Sequence, residues 1–268
     1  MAATIHPTAI VEDGAQLGDD VSVGPYALIG PDVKLGNQVK VHGHVVIGGQ
    51  TEIGDRTEIF PFASIGLQPQ DLKFGGENTK LIIGTDNTIR EYVTMNPGTE
   101  QGGGITTVGN NGLFMVSSHV AHDCVIGDNV ILANSVAIAG HCQIGDYAIF
   151  GGLSCIHQFG RVGPHCFVGG ASALERDLIP FGVAIGNRAV LAGLNLIGLK
   201  RRGFTRDDMR ALRKTHEAVF QSAEGTLQER AAAVAAGGEL NPHVKTLLDF
   251  ILDDTSRAIC TPLKVGNN

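Results

Sequence analysis

The six-residue repeat that decides the fold is clearest in residues 11–48, which read VEDGAQ LGDDVS VGPYAL IGPDVK LGNQVK VHGHVV IG. The first slot of every group is Val, Leu or Ile, and the fifth slot is small or β-branched. The same period runs, with two breaks, from Ile5 to Leu174. A period of six fits neither an α-helix nor a hairpin array, and it predicts short strands joined by tight turns, with about eighteen residues per coil. We therefore expect a triangular prism whose aliphatic and small side chains point inward.

Glycine often follows the aliphatic slot, and the chain has 37 glycines in 268 residues. Because glycine adopts positive φ without a steric penalty, we expect these glycines to serve turns with a left-handed backbone. The glycines that follow the aliphatic slot are at positions 18, 24, 30, 36, 48, 54 and 66.

The two breaks in the repeat predict loops that project from the prism, at about residues 67–82 and 97–107. Loops on a rigid scaffold often carry function. The hexads stop after about Phe181, so we place the β-helix at residues 1–190 and a smaller helical domain at residues 191–268. Apolar spacing and capping residues predict three helices in that domain, which follow Thr205, Thr226 and Asn241.

Composition excludes several classes of protein. The net charge of -7 argues against a nucleic-acid binder. Five cysteines without a CxxC motif predict a reducing compartment, and the N-terminus resembles no signal peptide, so we expect a cytoplasmic protein. The longest apolar stretch, Val183 to Leu199, contains Asn187, Arg188 and Asn195, which argues against a membrane span.

Stacking of the coils brings distant histidines together. Residues eighteen apart lie in one column, about 4.8 Å from coil to coil, so His122, Gly140 and Gln158 form one column. Four of the ten histidines then lie on one face of a few coils, namely His119, His122, His141 and His157. A single histidine at a turn is usually only exposed, but four on adjacent coils favour a functional site.

The residues around His122 predict acid–base chemistry. An imidazole acts as a general base near neutral pH, and Asp123 can orient it and stabilise its charged form. The backbone N–H of Gly140 is a candidate oxyanion donor. No serine or cysteine is placed as a nucleophile, which favours direct attack by a bound hydroxyl. Three of the five cysteines occupy the small inward slot and are expected to fill the core, namely Cys124, Cys142 and Cys166.

Five motifs together resemble the UDP-N-acetylglucosamine O-acyltransferase family of hexapeptide-repeat acyltransferases. They are HVAHDC (119–124), QDLKFGGE (70–77), AGH (139–141), HQF (157–159) and LKRRGF (199–204). The resemblance covers nearly the whole chain. It implies an all-β, left-handed parallel β-helix with a small C-terminal helical domain. It also implies transfer of an (R)-3-hydroxyacyl chain from acyl carrier protein to the 3-position of UDP-N-acetylglucosamine, the first step of lipid A biosynthesis. A homotrimer with sites between subunits, and no cofactor or metal, are implied as well.

The resemblance also assigns roles to residues. It makes His122 the base that takes the proton of the sugar 3-hydroxyl, with Asp123 as its support and Gly140 as the oxyanion donor. Gly170 matches a position where a large side chain would shorten the acyl chain, so glycine implies a longer one. The substrate-binding positions implied by the resemblance are Asp71, Lys73, His119, His141, His157, Gln158, Asn195, Arg201 and Arg202.

Two departures from the family pattern leave the acceptor open. Asn96 and Pro97 stand where the family often has histidine and arginine, and Ile197 replaces a family glutamate. The acceptor is therefore either the ordinary sugar or a 3-amino analogue, which would give an amide. In residues 176–214, nine of the 20 Lys and Arg residues accompany three acidic ones. This segment is either a docking site for an acidic carrier protein or an ordinary solvated face.

Three other functions remain as alternatives. One is a relative within the superfamily, such as an N-acyltransferase of the same pathway or an acetyl-CoA-dependent enzyme. Another is a zinc hydratase, because hexapeptide-repeat carbonic anhydrases bind zinc through three histidines. The last is a non-catalytic β-helix, in which His122 would be dispensable.

Overall fold

The computed structural model of the chain describes residues 2–222, 224–253 and 255–263. The predicted helical domain extends to residue 268, and its end, residues 264–268, lies outside the described part. Within the described ranges the strands form three sheets of 11, 9 and 8 strands, and all pairs except the last hairpin are parallel. Each coil contributes one strand to each sheet, so the hexad prediction is confirmed.

The first sheet contains β1 Thr4–Ile5, β4 Ser22–Val23, β7 Lys40–Val41, β10 Glu58–Ile59, β13 Thr88–Ile89, β16 Leu113–Phe114, β19 Ile131–Leu132, β22 Ile149–Phe150, β25 Phe167–Val168, β27 Gly182–Ile185 and β28 Val190–Leu194. The second contains β2 Ile10–Val11, β5 Leu28–Ile29, β8 Val46–Ile47, β11 Ser64–Ile65, β14 Thr94–Met95, β17 His119–Val120, β20 Ala137–Ile138, β23 Cys155–Ile156 and β26 Ala173–Leu174. The third contains β3 Gln16–Leu17, β6 Lys34–Leu35, β9 Gln50–Ile53, β12 Lys80–Ile83, β15 Ile105–Val108, β18 Val125–Ile126, β21 Gln143–Ile144 and β24 Arg161–Val162.

The core runs along the axis of the prism. The first slot of the hexad is buried from Val23 onward, and the fifth slot is buried from Val21 onward in most coils. Ile5, in the first coil, is 44% exposed because no coil lies below it. Cys124, Cys142 and Cys166 are fully buried in the small slot, as predicted.

We predicted that the glycines after the aliphatic slot serve turns with positive φ, and this reason is wrong. Of the seven glycines after the aliphatic slot, only Gly66 has a positive φ, of 75°. Left-handed turn positions are instead held by other residues, such as Tyr26 at φ 57° and His141 at φ 61°. A Cβ on Gly18 would lie 2.7 Å from the carbonyl carbon of Gly36 in the next coil. These glycines therefore permit the close approach of stacked backbones, a steric need that φ does not express.

Both loops are shorter than predicted, because strands of the third sheet are extended beside them. β12 begins at Lys80, which pairs with Gln50 in β9, so the first loop ends at residue 79. β15 begins at Ile105, which pairs with Lys80. The second loop therefore occupies residues 96–104 and contains a 3₁₀ turn at Glu100–Gly102.

Four helices follow the β-helix in the described part, α1 Leu196–Arg201, α2 Arg206–Phe220, α3 Leu227–Ala235 and α4 Pro242–Leu252. The three predicted helices are confirmed: capping boxes at Thr205 and Thr226 start α2 and α3, and the side chain of Asn241 caps α4. The short α1 was not predicted. The expected domain boundary at residue 190 falls on the first residue of β28, which still pairs with the β-helix. Within the described ranges, no helix combines the length and the apolar character needed to cross a membrane.

One corner of the prism, between the third and first sheets, holds a column of aromatic rings. The ring of His165 stacks on Tyr147 at 4.8 Å and on Phe181 at 5.8 Å, and Phe204 meets it edge-on at 5.1 Å. Nδ1 of His165 is buried without a hydrogen-bond partner. The imidazole is therefore packed among aromatic rings, with Nδ1 shielded from water.

Burial, together with the nearby Arg202 and His243, lowers the pKa of His165 to about 4 from an ordinary 6.5, against a small opposing effect of Asp146. Between these two pH values the unfolded chain binds a proton at this residue and the folded chain does not. The contribution of His165 to the free energy of unfolding therefore decreases as the pH falls from 6.5 towards 4.

A His165→Phe variant is expected to lose less stability on acidification, because phenylalanine keeps the ring stack without a titrating group. The expected difference, with allowance for partial exposure, is on the order of 1 kcal/mol in the change of unfolding free energy between pH 7 and pH 5. Urea unfolding at the two pH values measures it. Equal losses in the parent and the variant would contradict the prediction.

Candidate active site

The turn after β17 places a histidine and an aspartate in direct contact. Nδ1 of His122 lies 2.7 Å from Oδ2 of Asp123, and the two side chains are 14% and 1% exposed. The left-handed backbone at Asp123, with φ 59°, allows these sequence neighbours to meet at one corner of the prism. With the Nδ1 proton donated to the carboxylate, Nε2 of His122 is the atom left to accept a proton.

The second loop fixes the carboxylate of Asp123. Thr99 donates its backbone N–H to Oδ1 and its hydroxyl to Oδ2, each at 2.7 Å. The N–H of Asp123 donates to the hydroxyl of Thr106 at 2.7 Å. A Cβ on Gly102 would overlap the carboxyl group of Asp123, which explains one glycine of the GGG run. Sequence reasoning missed both threonines. No spacing connects Thr99, in the irregular second loop, to Asp123, whereas Thr106 lies one coil below Cys124 and could have been found from the stacking.

Gly140 lies directly against the ring of His122. A Cβ at this position would be 2.6 Å from Cε1 and 2.7 Å from Nε2 of His122. The carbonyl of Gly140 accepts the N–H of Phe159 at 2.9 Å, while the N–H of Gly140 has no acceptor among the residues that the structure describes. An unpaired N–H beside a proton acceptor is the arrangement that stabilises a developing oxyanion.

Two further histidines surround His122 and are kept neutral. His141 meets the ring of His122 edge-on at 4.9 Å, and burial lowers its pKa although Asp123, 3.6 Å from its Nδ1, opposes the shift. His119 shares a 2.7 Å hydrogen bond between its Nδ1 and the hydroxyl of Thr94, and burial lowers its pKa as well. Their neutrality at pH 7 limits the positive charge close to His122.

A cavity of about 380 Å³ opens in front of these residues. Its lining combines polar side chains with apolar or small residues, which suits a ligand with a polar head and an acyl tail. The lining residues are Gln70, Asn96, His119, His122, Gly140 and Gln158, with Ala121, Ala137, Ile138, Ala139, Cys155 and Ile156.

Asn96, noted as a departure in the sequence, connects the first loop to this cavity. Its Nδ2 donates to the carbonyls of Leu67 and Gln68 at 3.0 and 3.3 Å. Its Oδ1 is buried and has no hydrogen-bond partner. A buried acceptor left unpaired is costly unless a ligand or water satisfies it, so Asn96 is added to the candidate ligand-binding residues.

The first loop places the predicted residues Asp71 and Lys73 near the cavity, but not in its lining. Oδ1 of Asp71 accepts the N–H of Lys73 at 3.0 Å, and both charges act on the pKa of His141. Gln70, in the same motif, lines the cavity instead. The side chain of Leu72 at the loop tip is fully exposed.

Three predicted substrate-binding residues from the C-terminal part lie at a different corner of the prism, namely Asn195, Arg201 and Arg202. Asn195 caps α1 and donates from Nδ2 to the carbonyl of His165 at 2.9 Å. Arg202 donates to the carbonyl of Tyr147 at 2.9 Å, and Arg201 is exposed nearby. Within one chain these residues are not brought together with His122.

Two other predicted positions lie on the exposed face. His157 is exposed, with Nδ1 3.2 Å from the carbonyl oxygen of the adjacent Gln158. Gly170 is exposed too, and a Cβ there would lie 3.3 Å from the carbonyl oxygen of Gly152. A side chain at position 170 would therefore project from the surface with only that close contact.

The geometry around His122 also bears on the alternative that these residues bind zinc. Within the described residues, one group of candidate ligand atoms, from His122, Asp123 and His141, lies within 4.8 Å of one another. The oxygens of Asp123 already accept hydrogen bonds from Thr99 and His122. A cation here would have to displace those bonds, so the arrangement fits a proton-transfer pair better than a preformed metal site.

Comparison with known proteins identifies the family. Over 264 residues the chain is 67% identical to the acyl-[acyl-carrier-protein]--UDP-N-acetylglucosamine O-acyltransferase of Methylobacterium radiotolerans, covering 98% of this chain and 97% of that protein. This chain belongs to the UDP-N-acetylglucosamine O-acyltransferase family. A family member from Azorhizobium caulinodans is 50% identical over 260 residues, with 97% of this chain and 96% of that protein covered. A family model described as "Udp N-acetylglucosamine O-acyltransferase; Domain 2" matches residues 177–260.

Solved structures of the family share the whole fold. The UDP-N-acetylglucosamine acyltransferase from Campylobacter jejuni is 41% identical with a TM-score of 0.90, covering 97% of this chain and 100% of that one. The UDP-N-acetylglucosamine O-acyltransferase from Moraxella catarrhalis is 42% identical with a TM-score of 0.91, covering 95% and 98%. The resemblance stated from the motifs and the expected left-handed parallel β-helix with a helical C-terminal part are confirmed.

Proposed function

We propose that this chain transfers an (R)-3-hydroxyacyl chain from acyl carrier protein to the 3-position of UDP-N-acetylglucosamine, the first step of lipid A biosynthesis. Family membership over nearly the full length supports the reaction class. The observation that carries the proposal is the His122–Asp123 pair, with Nε2 of His122 beside Gly140 at the cavity.

The geometry supports general-base catalysis without a covalent enzyme intermediate. Nε2 of His122 takes the proton of the sugar 3-hydroxyl as its oxygen attacks the thioester carbonyl carbon. The new C–O bond forms, the C–S bond breaks, and His122 returns the proton to the departing carrier thiolate. Asp123 stabilises the transient imidazolium, and the N–H of Gly140 donates to the oxyanion of the tetrahedral intermediate.

The cavity divides the substrate into two parts. Its polar lining residues, such as Gln70, Asn96 and His119, suit the sugar, while the exposed small side chains of Ala137 and Cys155 leave room for the acyl chain. Glycine at position 170 adds no side chain to this exposed position, which favours a longer acyl chain. We retain as proposed substrate contacts the cavity residue Gln158 and four residues outside the cavity lining, namely Asp71, Lys73, His141 and His157.

A homotrimer accounts for the residues at the distant corner. Asn195, Arg201 and Arg202 lie at the corner between the third and first sheets, whereas His122 lies between the second and third. A neighbouring subunit can bring these two corners of the prism together, and its arginines would then bind nucleotide phosphates. The basic segment 176–214 offers an acidic carrier protein a complementary surface. We place this assembly in the cytoplasm.

A direct assay tests the proposed reaction and the identity of the acceptor. Purified protein is incubated with a mixture of (R)-3-hydroxyacyl carrier proteins and either UDP-N-acetylglucosamine or its 3-amino analogue, and products are read by mass. The expected result is one O-acylated UDP-sugar with a preferred chain length. Product from the 3-amino sugar alone would move the reaction to amide formation, because Oδ1 of Asn96 accepts from N–H as well as from O–H.

Matched incubations separate the remaining alternatives. Acetyl-CoA replaces the carrier proteins in one, and a chelator is added in another. Transfer from acetyl-CoA in preference to the carrier proteins would indicate a different superfamily enzyme, and loss of activity with chelator would favour a metal. Absence of product from every donor and acceptor would overturn the proposal.

A further inference from the structure

The chain after α4 returns to the β-helix beside the catalytic coils. The N–H of Asp177 donates to the carbonyl of Ala258 at 3.0 Å, and the N–H of Cys260 donates to the carbonyl of Asp177 at 2.8 Å. The tail therefore pairs with the segment that follows the last parallel strand of the second sheet. Arg257 stands at the start of this contact.

A column of hydrogen-bonded peptides passes through the three turns of the candidate active site. The N–H of His141 donates to the carbonyl of His122, and the N–H of Phe159 donates to the carbonyl of Gly140, both at 2.9 Å. At the lower end, the N–H of Asp123 donates to the hydroxyl of Thr106 at 2.7 Å. We call this series, which ends at the carbonyl of Gln158, the peptide column.

A guanidinium group closes the upper end of the peptide column. The residue eighteen after Phe159 is Asp177, whose N–H would continue the column in a regular coil, but that N–H donates to Ala258 in the tail. Nη1 of Arg257 takes its place and donates to the carbonyl of Gln158 at 3.2 Å. A charged donor thus replaces the amide that the next coil would have supplied.

Arg257 is itself held rigidly. Its Nε donates to Oδ1 of Asp177 at 2.7 Å, and its Nη2 donates to the carbonyl of Glu175 at 3.0 Å. Asp177 is fully buried and also accepts from Nε of Arg161 at 2.7 Å. A guanidinium with three fixed partners loses little further freedom, so its position on Gln158 is well defined.

The residues next to that carbonyl contact the catalytic pair. Gln158 lines the cavity, and the ring of Phe159 stacks on His141 at 4.4 Å, with the planes 7° apart. His141 in turn meets His122 edge-on. Movement of the Gln158–Phe159 peptide would therefore displace the ring that supports His122, and with it the N–H of Phe159 that donates to the carbonyl of Gly140.

We propose that Arg257 is a positioning residue for the transfer reaction, which holds the Gln158–Phe159 peptide and, through the peptide column, the alignment of Gly140 and His122. Hydrogen bonds from a charged donor are strong, and bonds in series polarise one another. The inference rests on the proposed function and deepens it, because it gives the helical C-terminal part a role in the chemistry of the β-helix.

The test compares Arg257→Ala and Arg257→Lys with a matched control, Arg230→Ala. Arg230 likewise donates three hydrogen bonds, although all of them go to carbonyls, those of Val219, Glu224 and Gly225, and it lies in α3. Both Arg257 variants are expected to lower kcat about 10- to 100-fold, with the KM for UDP-N-acetylglucosamine changed less than about threefold. Arg257→Lys keeps the positive charge, but its ammonium group lacks the planar geometry that bonds Asp177, Glu175 and Gln158 together.

Two readouts separate positioning from simple stabilisation. Guanidinium ion added to Arg257→Ala should restore part of kcat, and hydrogen exchange at the amides of His141 and Phe159 should accelerate in that variant but not in Arg230→Ala. A folded Arg257→Ala protein with the kcat of the parent, or an equal loss of kcat in Arg230→Ala, would overturn the inference. If the parent makes no product, the proposed function fails, and unchanged exchange at Phe159 would separately refute the positioning role.

Discussion

Replacement of His122 with alanine is expected to lower kcat by roughly 10²- to 10⁴-fold, the range contributed by a positioned general base. The reason is the pairing of its Nδ1 with Asp123 at 2.7 Å, which leaves Nε2 as the proton acceptor at the cavity. In the described part of the site, no other side chain has both a nitrogen that is free to accept a proton and contact with Gly140. Product formation under saturating donor and acceptor measures the loss.

A matched histidine elsewhere controls for general effects of the substitution. His6 is exposed in the first coil, and within the described residues its side chain bonds only to Thr8, so His6→Ala is expected to leave kcat unchanged within about twofold. Parental activity in a folded His122→Ala protein would rule out the general-base role. It would equally contradict a zinc site that has His122 among its ligands.

A single methyl group at position 140 is expected to lower kcat on the order of 100-fold. The new Cβ of Gly140→Ala would lie 2.6 Å from Cε1 and 2.7 Å from Nε2 of His122, closer than any stable contact. The imidazole ring must turn away, and it then leaves both Asp123 and the reacting hydroxyl. The substitution keeps the N–H of residue 140, so the effect reports the displacement of His122.

Gly30→Ala supplies the control for this steric argument. A Cβ at Gly30 would lie 3.4 Å from its nearest neighbours, Cα of Gly48 and the carbonyl oxygen of Ile47, which is an ordinary contact. Activity within about twofold of the parent is expected. If Gly140→Ala retains full kcat, the close packing of Gly140 on His122 has no part in the reaction.

The β-helix could be predicted from the sequence. A column of identical slots repeats every coil, so Val23, Val41 and Ile59 had to share one environment, and each is buried. The same arithmetic placed Gly140 one coil above His122, and these residues are in contact in the structure. Helix starts at Thr205 and Thr226 followed from local capping chemistry, which needs no distant partner.

The sequence alone determined the prism, the helices and the grouping of histidines, because each depends on short-range periodicity or on stacking in register. Tertiary structure decided the rest, because irregular segments reach their partners by paths that no period encodes. Thr99 meets Asp123 from the second loop, and Arg257 meets Gln158 from the tail, 99 residues away in the chain. The role of the repeat glycines was also decided by tertiary structure, because the space they leave is filled by the backbone of the next coil.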